Sequence, residues 1–395
     1  MYAITIHLRC TDAESVSLVR RASLEVVAPS RAEPGCLFFD VLFDESDPLV
    51  IRFYESYQDR AAFDAHLAAP HAQRWVQVCM PHVDRRSIRM PESVSDRPSG
   101  GDRVVVVFGA TGQIGTEVVK LLAGDPRCKE VRALSRDPGG DEARLLTAFG
   151  PSVRIVPFRM DNLLPACEGA TDAFIVAPLT DDAAGLHTTV ARALATARVG
   201  HVVKVSVTGA RPPESDPPPG RIPSLHWAGE EALRGAGLKT TVIRPTIFMQ
   251  HFEMGSGLYE RGDSRFYLPS GEAGVAFLDC RDIAAMGHAL LFSPAAAPFY
   301  EGAYALTGPE AVTGAQIAGI LSAIRQAPVE HVDGIPGFEA RCAELGKPDR
   351  VKFVYAEAAG GWFSEVQTRV FEVLVGRRPR SFAAWADDRA YGFRA

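Results

Sequence analysis

No run of apolar residues in this chain approaches the ~20 that a membrane helix needs, so no membrane partner is expected. The opening MYAITIHLRC lacks the charged-then-apolar layout of a secretion signal. Seven cysteines (Cys10, Cys36, Cys79, Cys128, Cys167, Cys280 and Cys342) are odd in number and scattered, and none forms a C-x-x-C pair. This speaks against a disulfide framework or a cysteine zinc site and for reduced thiols in the cytoplasm. A basic stripe is missing as well, and the formal net charge of -6 argues against a nucleic-acid partner.

What is present describes a globular chain. It has 395 residues, 47% hydrophobic and 23% charged. At a soft prior of ~150 residues per domain, the length predicts two or three domains. The most informative stretch is DRVVVVFGATGQIG at 102–115. Five apolar residues, Val104 to Phe108, make a buried strand, and a glycine-rich turn follows at once. Val118, Val119, Leu121 and Leu122 then recur at helical spacing. Strand, glycine turn and helix together make a dinucleotide site. Gly109 serves the tight turn, Gly112 the approach of a pyrophosphate, and Gly115 the close seating of the helix. The turn residues Gly109, Thr111, Gly112, Gln113, Ile114 and Gly115 are therefore assigned to the nucleotide, with the helix N–H groups facing its phosphates.

Ahead of that strand lie about a hundred residues with their own pattern. An alternating strand runs Tyr2 to Arg9, and a helix from Asp12 to Ala28 turns Val16, Val19, Leu24 and Val27 inward. Strands at Gly35–Phe43 and Leu49–Tyr57 flank a turn at 44–48. A helix from Gln58 ends before Pro70, a short one carries His71 to Cys79, and a strand covers Val83–Met90. The order β-α-β-β-α-β is that of an α+β ferredoxin-like domain. Three marks, Glu33-Pro-Gly-Cys36, Tyr54-Glu-x-Tyr57 and Ala65-His66-x-x-x-Pro70-His71, closely resemble the antibiotic biosynthesis monooxygenase (ABM) domains. The resemblance covers almost all of residues 1–90. It implies a dimeric α+β barrel with a pocket between sheet and helices, hence a homodimer through this domain. It also implies oxidation of phenolic or quinol substrates by O2 without metal or flavin. His66 and His71 are the candidate acid/base or orienting groups, with Trp75 and Phe63 as pocket walls. The alternative is that His66 caps its helix, Trp75 is core, and the domain only dimerises or holds substrate.

Residues 91–101, PESVSDRPSGG, read as a flexible tether. From Asp102 strands and helices alternate, which predicts an α/β Rossmann-like, doubly wound parallel sheet over 102–395 with a small C-terminal substrate lobe. Arg211 to Pro223 holds six prolines and is expected to be irregular, as a lid or a surface excursion, and a helix is expected from Ser381 to the end. GATGQIG at 109–115, RALSRDP at 132–138, VVKVSVTGA at 202–210, GEEALRGAGLKTTVIRPTIFMQHF at 229–252, DCRDIA at 279–284 and GRRPRSFAAWADD at 376–388 resemble the NmrA-like branch of the atypical short-chain dehydrogenases/reductases. That branch includes NAD(P)H-dependent quinone, dye and ketone reductases as well as redox sensors.

Ser135-Arg136 ends the second strand of this domain, where a guanidinium meets the 2′-phosphate of NADP(H). Asp137 beside it keeps NAD(H) open. The resemblance places Asp161 on the adenine, Ala177 and Pro178 beside the ribose and nicotinamide, and Lys204 beside the nicotinamide ribose. Pro245, Thr246, Ile247, Phe248 and Phe252 are expected to wall the nicotinamide pocket, with a core position as the alternative for Phe248. The usual Tyr-x-x-x-Lys helix reads His226-Trp227-Ala228-Gly229-Glu230 here, so the default proton donor is absent. Lys204 is expected to orient cofactor, and Ser206 or His226 to touch the substrate oxygen, with a structural histidine as the alternative at 226. The combined expectation is an NADPH-dependent reductase of quinone or aromatic polyketide-type substrates fused to an oxygenase-like domain. A ketoreductase with a dimerising partner domain, and a non-catalytic NADP-binding sensor, are the alternatives.

Overall fold

Residues 2–43, 48–89, 102–178, 180–215, 220–253, 258–259, 263–293, 296, 299–346 and 363–390 are described by a computed structural model. The turn expected at 44–48 lies outside these residues except for Pro48, and so does all but Asp102 of the stretch from Met90 to Asp102. The chain divides into two units, residues 1–99 with 293–300, and residues 100–292 with 301–395.

The first unit begins with β1 (Tyr2–Cys10), α1 (Ala13–Arg31), β2 (Cys36–Phe43) and β3 (Val50–Tyr57). It continues with α2 (Arg60–Ala68), α3 (Pro70–Cys79) and β4 (Val83–Arg89). The strands pair antiparallel in the order β2-β3-β1-β4 of the ferredoxin-like arrangement. Alternation along β3 puts Ile51, Phe53, Glu55 and Tyr57 on one buried row. Phe53 and Ile51 join Leu8, Val19, Phe39 and Cys79 in the core beneath the helices. Asp12 and Asp59 start α1 and α2 by accepting the Ser15 and Ala62 N–H groups.

Two expectations for α1 are corrected. The helix runs through Pro29 to Arg31, and Leu24 is 54% exposed rather than inward. The inward stripe is Ser15, Val19, Ser23, Val26 and Ser30. Its serines carry no apolar signal, but Ser23 accepts from the Trp75 indole (2.9 Å) and Ser30 meets His71 (3.2 Å).

The second unit is a seven-stranded parallel sheet, flanked by helices. Its strands β5 (Arg103–Phe108), β6 (Cys128–Ser135), β7 (Val153–Pro157), β8 (Asp172–Ile175), β9 (His201–Val205), β10 (Thr240–Pro245) and β12 (Ala303–Leu306) stand in the order β12-β10-β9-β8-β5-β6-β7. All six residues of β5 are buried, as a strand covered on both faces requires. Strand order reverses between β5 and β8, the switch point at whose carboxyl ends ligands of such sheets sit. The helices are α4 (Gln113–Ala123), α5 (Asp141–Thr147), α6 (Leu164–Cys167), α7 (Ala183–Thr196), α8 (Arg221–Gly235) and α9 (Cys280–Phe292). The seventh strand was not predicted, because its four residues carry too little pattern to declare themselves.

The lobe adds β11 (Arg265–Tyr267) paired with β13 (Glu330–Val332), and α10 (Gly314–Arg325) and α11 (Ile335–Glu344). Two short helices, α12 (Arg369–Val375) and α13 (Phe382–Asp388), complete it. The helix expected from Ser381 to the end thus stops at Asp388, with Ser381 as its cap, and residues 391–395 lie outside the described set. The segment 211–223 is not wholly irregular either: α8 starts at Arg221, and Pro223 fits its first turn, where no intrahelical N–H is needed. The DCRDIA and GRRPR motifs meet through Asp282, which accepts from Arg377 and Arg380 at 2.6 Å, a structural task. No helix among the described residues is long and apolar enough to cross a membrane.

Candidate functional site

The glycine turn has the geometry that a phosphate cradle requires. Gly109 has φ +71°, and a Cβ there would stand 2.3 Å from the Val176 carbonyl oxygen, so only glycine fits. A Cβ on Gly115 would lie 2.1 Å from the Gly109 oxygen, because α4 sits directly on the turn. Gly112 is different. It is exposed, has φ -82°, and a Cβ there would meet only the Gly109 oxygen at 3.4 Å. It caps α4 with no side chain, leaving the first N–H groups of the helix to an anion. Thr111 and Gln113 are partly or fully exposed beside it, whereas the Ile114 side chain is 4% exposed and offers a ligand only its backbone.

After β6 the Ser135 hydroxyl donates to the Asp137 carbonyl (2.9 Å) and accepts the Asp137 N–H (3.1 Å), which fixes the turn. Arg136 leaves this turn exposed, with no partner among the described residues. Asp161 is exposed past the end of β7, and Ala177 and Pro178 follow β8; Leu179 lies outside the described residues. These groups all stand at carboxyl ends of strands near the switch point. A nicotinamide dinucleotide fits them: turn glycines with room for a pyrophosphate, open helix N–H groups, and a free guanidinium for a further phosphate.

A buried polar cluster stands at the end of β9. Lys204 is 0% exposed and donates to the Val205 carbonyl (3.1 Å) and to His226 Nδ1 (3.4 Å). Burial pulls the Lys204 ammonium down to about 8, with Glu230 opposing and Arg244 and Arg234 adding to the fall. Burial also keeps half-buried His226 well below its ordinary value, helped by Lys204 and His187. His226 is therefore neutral, and because Nδ1 accepts from Lys204 its proton sits on Nε2.

Glu230, one turn on, belongs to a different device. It is fully buried and accepts from Arg244 (2.8 and 3.2 Å), Arg234 (2.9 Å) and the Ser206 hydroxyl (2.6 Å). Ser206 is 3% exposed with its proton committed to Glu230, so its expected role as substrate donor is corrected: it braces the carboxylate. Sequence reasoning missed His187, which lies against Gly229, donates Nδ1–H to the Ala183 carbonyl (2.7 Å), and is pushed by burial to about 4. No local signal marks it, since it approaches from α7.

Pro245 is buried at the end of β10, and Phe248 is half-buried with its ring 5.8 Å from that of His251. Phe252 does not wall this site. It packs with Phe266, Phe277, Phe382 and Trp385 in the core of the lobe.

In the first unit a cavity of about 210 Å³ opens between sheet and helices, where the ABM resemblance puts a pocket. Phe63, His66 and Trp75 line it, with Glu55. His66 Nδ1 stands 2.9 Å from Glu33 Oε2, and His71 Nε2 stands 2.9 Å from Glu33 Oε1. Burial lowers the His66 pKa, against the pull of Glu33. Glu33 was legible only as part of the Glu-Pro-Gly-Cys mark, and Glu55 only as part of Tyr-Glu-x-Tyr. Their convergence on His66 needs the folded sheet.

Residues 101–340 match the NmrA-like family. The chain belongs to that family. Residues 1–78 match the antibiotic biosynthesis monooxygenase family, so the chain is a fusion of the two. It is 35% identical over 302 residues to an NAD(P)H azoreductase of Xenophilus azovorans, covering 74% of this chain and 100% of the relative. It is 31% identical over 302 residues to a (4-alkanoyl-5-oxo-2,5-dihydrofuran-3-yl)methyl phosphate reductase of Streptomyces griseus, covering 73% and 99%. The solved structure of an Escherichia coli NADPH-dependent quinone oxidoreductase complexed with NADPH superposes with a TM-score of 0.61 at 22% identity, covering 73% of this chain and 99% of that one. At that identity the likeness speaks for the fold.

Proposed function

We propose that the second unit is an NADP(H)-dependent reductase of conjugated aromatic acceptors, quinones above all. The observation that carries this is the Lys204–His226 contact, standing where the usual tyrosine and lysine are missing. The relatives named as azoreductase and furanone phosphate reductase support it, since both names describe reduction of conjugated acceptors. Bound NADPH would supply the hydride. Gly112 and the α4 N–H groups would hold its pyrophosphate, and Arg136 its 2′-phosphate. Lys204, fully buried behind His226, would act through that ring rather than touch the nicotinamide ribose that the resemblance assigned to it. His226 would place its Nε2–H on the acceptor oxygen, stabilising the developing phenolate, and pass on a proton drawn from Lys204 through Nδ1. A quinone tolerates so weak a donor because its reduced form is a stabilised anion.

On this reading kcat falls as pH rises through about 8, where the Lys204 ammonium is lost. Lys204→Met should lower kcat about 100-fold and abolish that limb, while melting no lower than the parent because a buried charge has been removed. A Lys204→Met enzyme with an unchanged pH profile would sink the relay.

The first unit is proposed to receive the electron-rich hydroquinone and oxygenate it, in a chain that dimerises through this unit. Exposed Leu24, Leu37, Leu67, Val76 and Val78 support the dimer, which sedimentation should report. The deciding experiment mixes protein, NADPH and a panel of naphthoquinones, anthraquinones and azo dyes, following NADPH absorbance and O2 uptake. Quinone-dependent NADPH loss is expected, with O2 uptake beyond the autoxidation control. NADPH loss without that excess removes the oxygenase half, and tight NADPH binding with no turnover of any acceptor replaces the reductase with a sensor.

A further inference from the structure

We propose that the first unit's cavity binds small phenols through His66, which takes the hydroxyl proton at Nε2 while Glu33 and His71 hold the ring from behind. This rests on the reading of that unit as the receiver of a hydroquinone and names the groups that ionise it. Ile4, Phe39, Phe53 and Trp75 are among the apolar walls of the cavity of about 210 Å³, and Glu55 and His66 are its buried polar members. Glu33 and His71 stand outside this lining. The space is smaller than the ~300–1,000 Å³ of pockets for drug-sized ligands, which limits the occupant to one or two fused rings.

The hydrogen bonds fix which nitrogen meets the occupant. A carboxylate only accepts, so the Glu33 oxygens take Nδ1–H of His66 (2.9 Å) and Nε2–H of His71 (2.9 Å). The Ser30 hydroxyl, 3.2 Å from His71 Nε2, shares that second proton. Burial keeps His66 neutral against the pull of Glu33, and the neighbouring His71 adds to the fall. The neutral ring therefore carries a bare lone pair at Nε2. That nitrogen lies on the side of cavity-lining Glu55 and has no hydrogen-bond partner among the described residues. Glu55 Oε2 is 4.0 Å away, too far to bond, and accepts from the Tyr57 hydroxyl (3.1 Å). An acceptor left open at the polar end of an apolar cavity calls for a hydroxyl donor.

Electrostatics then separate the roles. When the phenol O–H bond breaks and its proton joins Nε2, the products are a phenolate and an imidazolium. Glu55 faces both, so it opposes the one about as much as it favours the other. Glu33 lies on the Nδ1 side, faces the ring alone, and so tips the balance toward ionisation. His71 donates to Glu33 from α3 and keeps its second oxygen engaged, which makes it a positioning residue. Two other ionisable neighbours stay uncharged: burial raises the Cys36 thiol to about 11, and burial likewise raises the Tyr57 phenol. Arg60, which also lines the cavity, is committed to Asp64 (2.8 Å). Phe39 and Tyr57 pack on the imidazole at 5.3 and 5.4 Å and restrain its rotation. A hydrogen-bonded brace between the turn after α1 and helices α2 and α3 is the competing account of the same distances. It predicts no effect on the ionisation of an occupant.

The full chain, without NADPH, is titrated with para-nitrophenol, whose phenolate is yellow and whose phenol is colourless. The bound probe is expected to ionise at a pH about one unit or more below that of the free probe. His66→Gln keeps a donor for Glu33 but has no base, and should bind the probe un-ionised. Glu33→Gln should lower the ionised-to-neutral ratio of bound probe about 10-fold. His71→Ala should lower it in the same direction, and His71→Gln, which restores a donor to Glu33, should bring it back. Probe bound by a variant shows that its cavity has folded, so the readout is ionisation rather than affinity; should Glu33→Gln not fold, the His71 pair carries the same decision. A parent that binds no probe or binds it un-ionised overturns the proposal. So does a His66→Gln or Glu33→Gln variant that ionises the probe as the parent does. Neither O2 nor NADPH takes part, so ionised probe without O2 uptake upholds this site and removes only the oxygenation.

Discussion

Gly112→Asp should lose NADPH binding by at least ~100-fold while melting no lower than the parent. The two halves of this result have one cause. Gly112 is the N-cap of α4 and has extended backbone angles that aspartate adopts without strain. Aspartate is among the best N-caps, and its carboxylate would take the N–H groups that glycine leaves open, worth about 0.3 kcal/mol to the helix relative to glycine. Its Cβ meets nothing closer than the Gly109 oxygen at 3.4 Å. The same carboxylate would then occupy and repel the place of the pyrophosphate, and like charges brought together cost several kcal/mol. Gly115→Ala makes the contrast, since its Cβ would lie 2.1 Å from the Gly109 oxygen and must push α4 away. Its main effect should be on stability, roughly 1–3 kcal/mol. Fluorescence titration with NADPH and thermal melts of both variants separate the effects. Retained NADPH binding in Gly112→Asp would refute the nucleotide site.

Glu230→Ala should cost about 3–5 kcal/mol, because it strands the buried Arg244 guanidinium without its counter-charge. Burial alone would raise the Glu230 carboxyl. The charge and hydrogen bonds of Arg244, with Lys204 and Arg234, outweigh it and hold the group below its ordinary 4.5. A carboxyl whose folded pKa is depressed stabilises fully above the unfolded value and loses that contribution as pH falls through the folded one. The Glu230 share of stability is thus whole at neutral pH, begins to fall near pH 4.5, and is lost as pH drops through the lower folded value. Denaturant titrations at neutral and acid pH should find the gap between parent and Glu230→Ala shrinking in acid. A second effect reaches the chemistry. Glu230 is what holds the Lys204 pKa up, so Glu230→Gln should move the alkaline limb of kcat to a pH below 8. A limb that stays in place would detach Lys204 from the rate.

The N-terminal strands and helices were legible because alternation, caps and turn residues agree over short distances. Helix α4 was legible because it follows a wholly apolar strand and a glycine turn. Leu24 was misplaced because periodicity counts only apolar residues, and this helix buries serines that other elements satisfy. Phe252 was misplaced for the opposite reason. An aromatic just past an active strand is ambiguous until α13 is seen to bring Phe382 and Trp385 against it.

The sequence by itself determined the glycine turn: three glycines whose spacing, behind five apolar residues, leaves few other conformations open to the backbone. It also determined that Tyr-x-x-x-Lys is missing and that an ABM-like stretch precedes the nucleotide strand. Only the tertiary structure decided which polar groups act together. Ser206 and Glu230 lie 24 residues apart and share a 2.6 Å hydrogen bond, while Lys204 turns to His226. Such pairings follow from which strand end faces which helix once the core has closed, and burial then sets their protonation. Local pattern fixes where the backbone turns; the chemistry of the site is a property of contacts between distant segments.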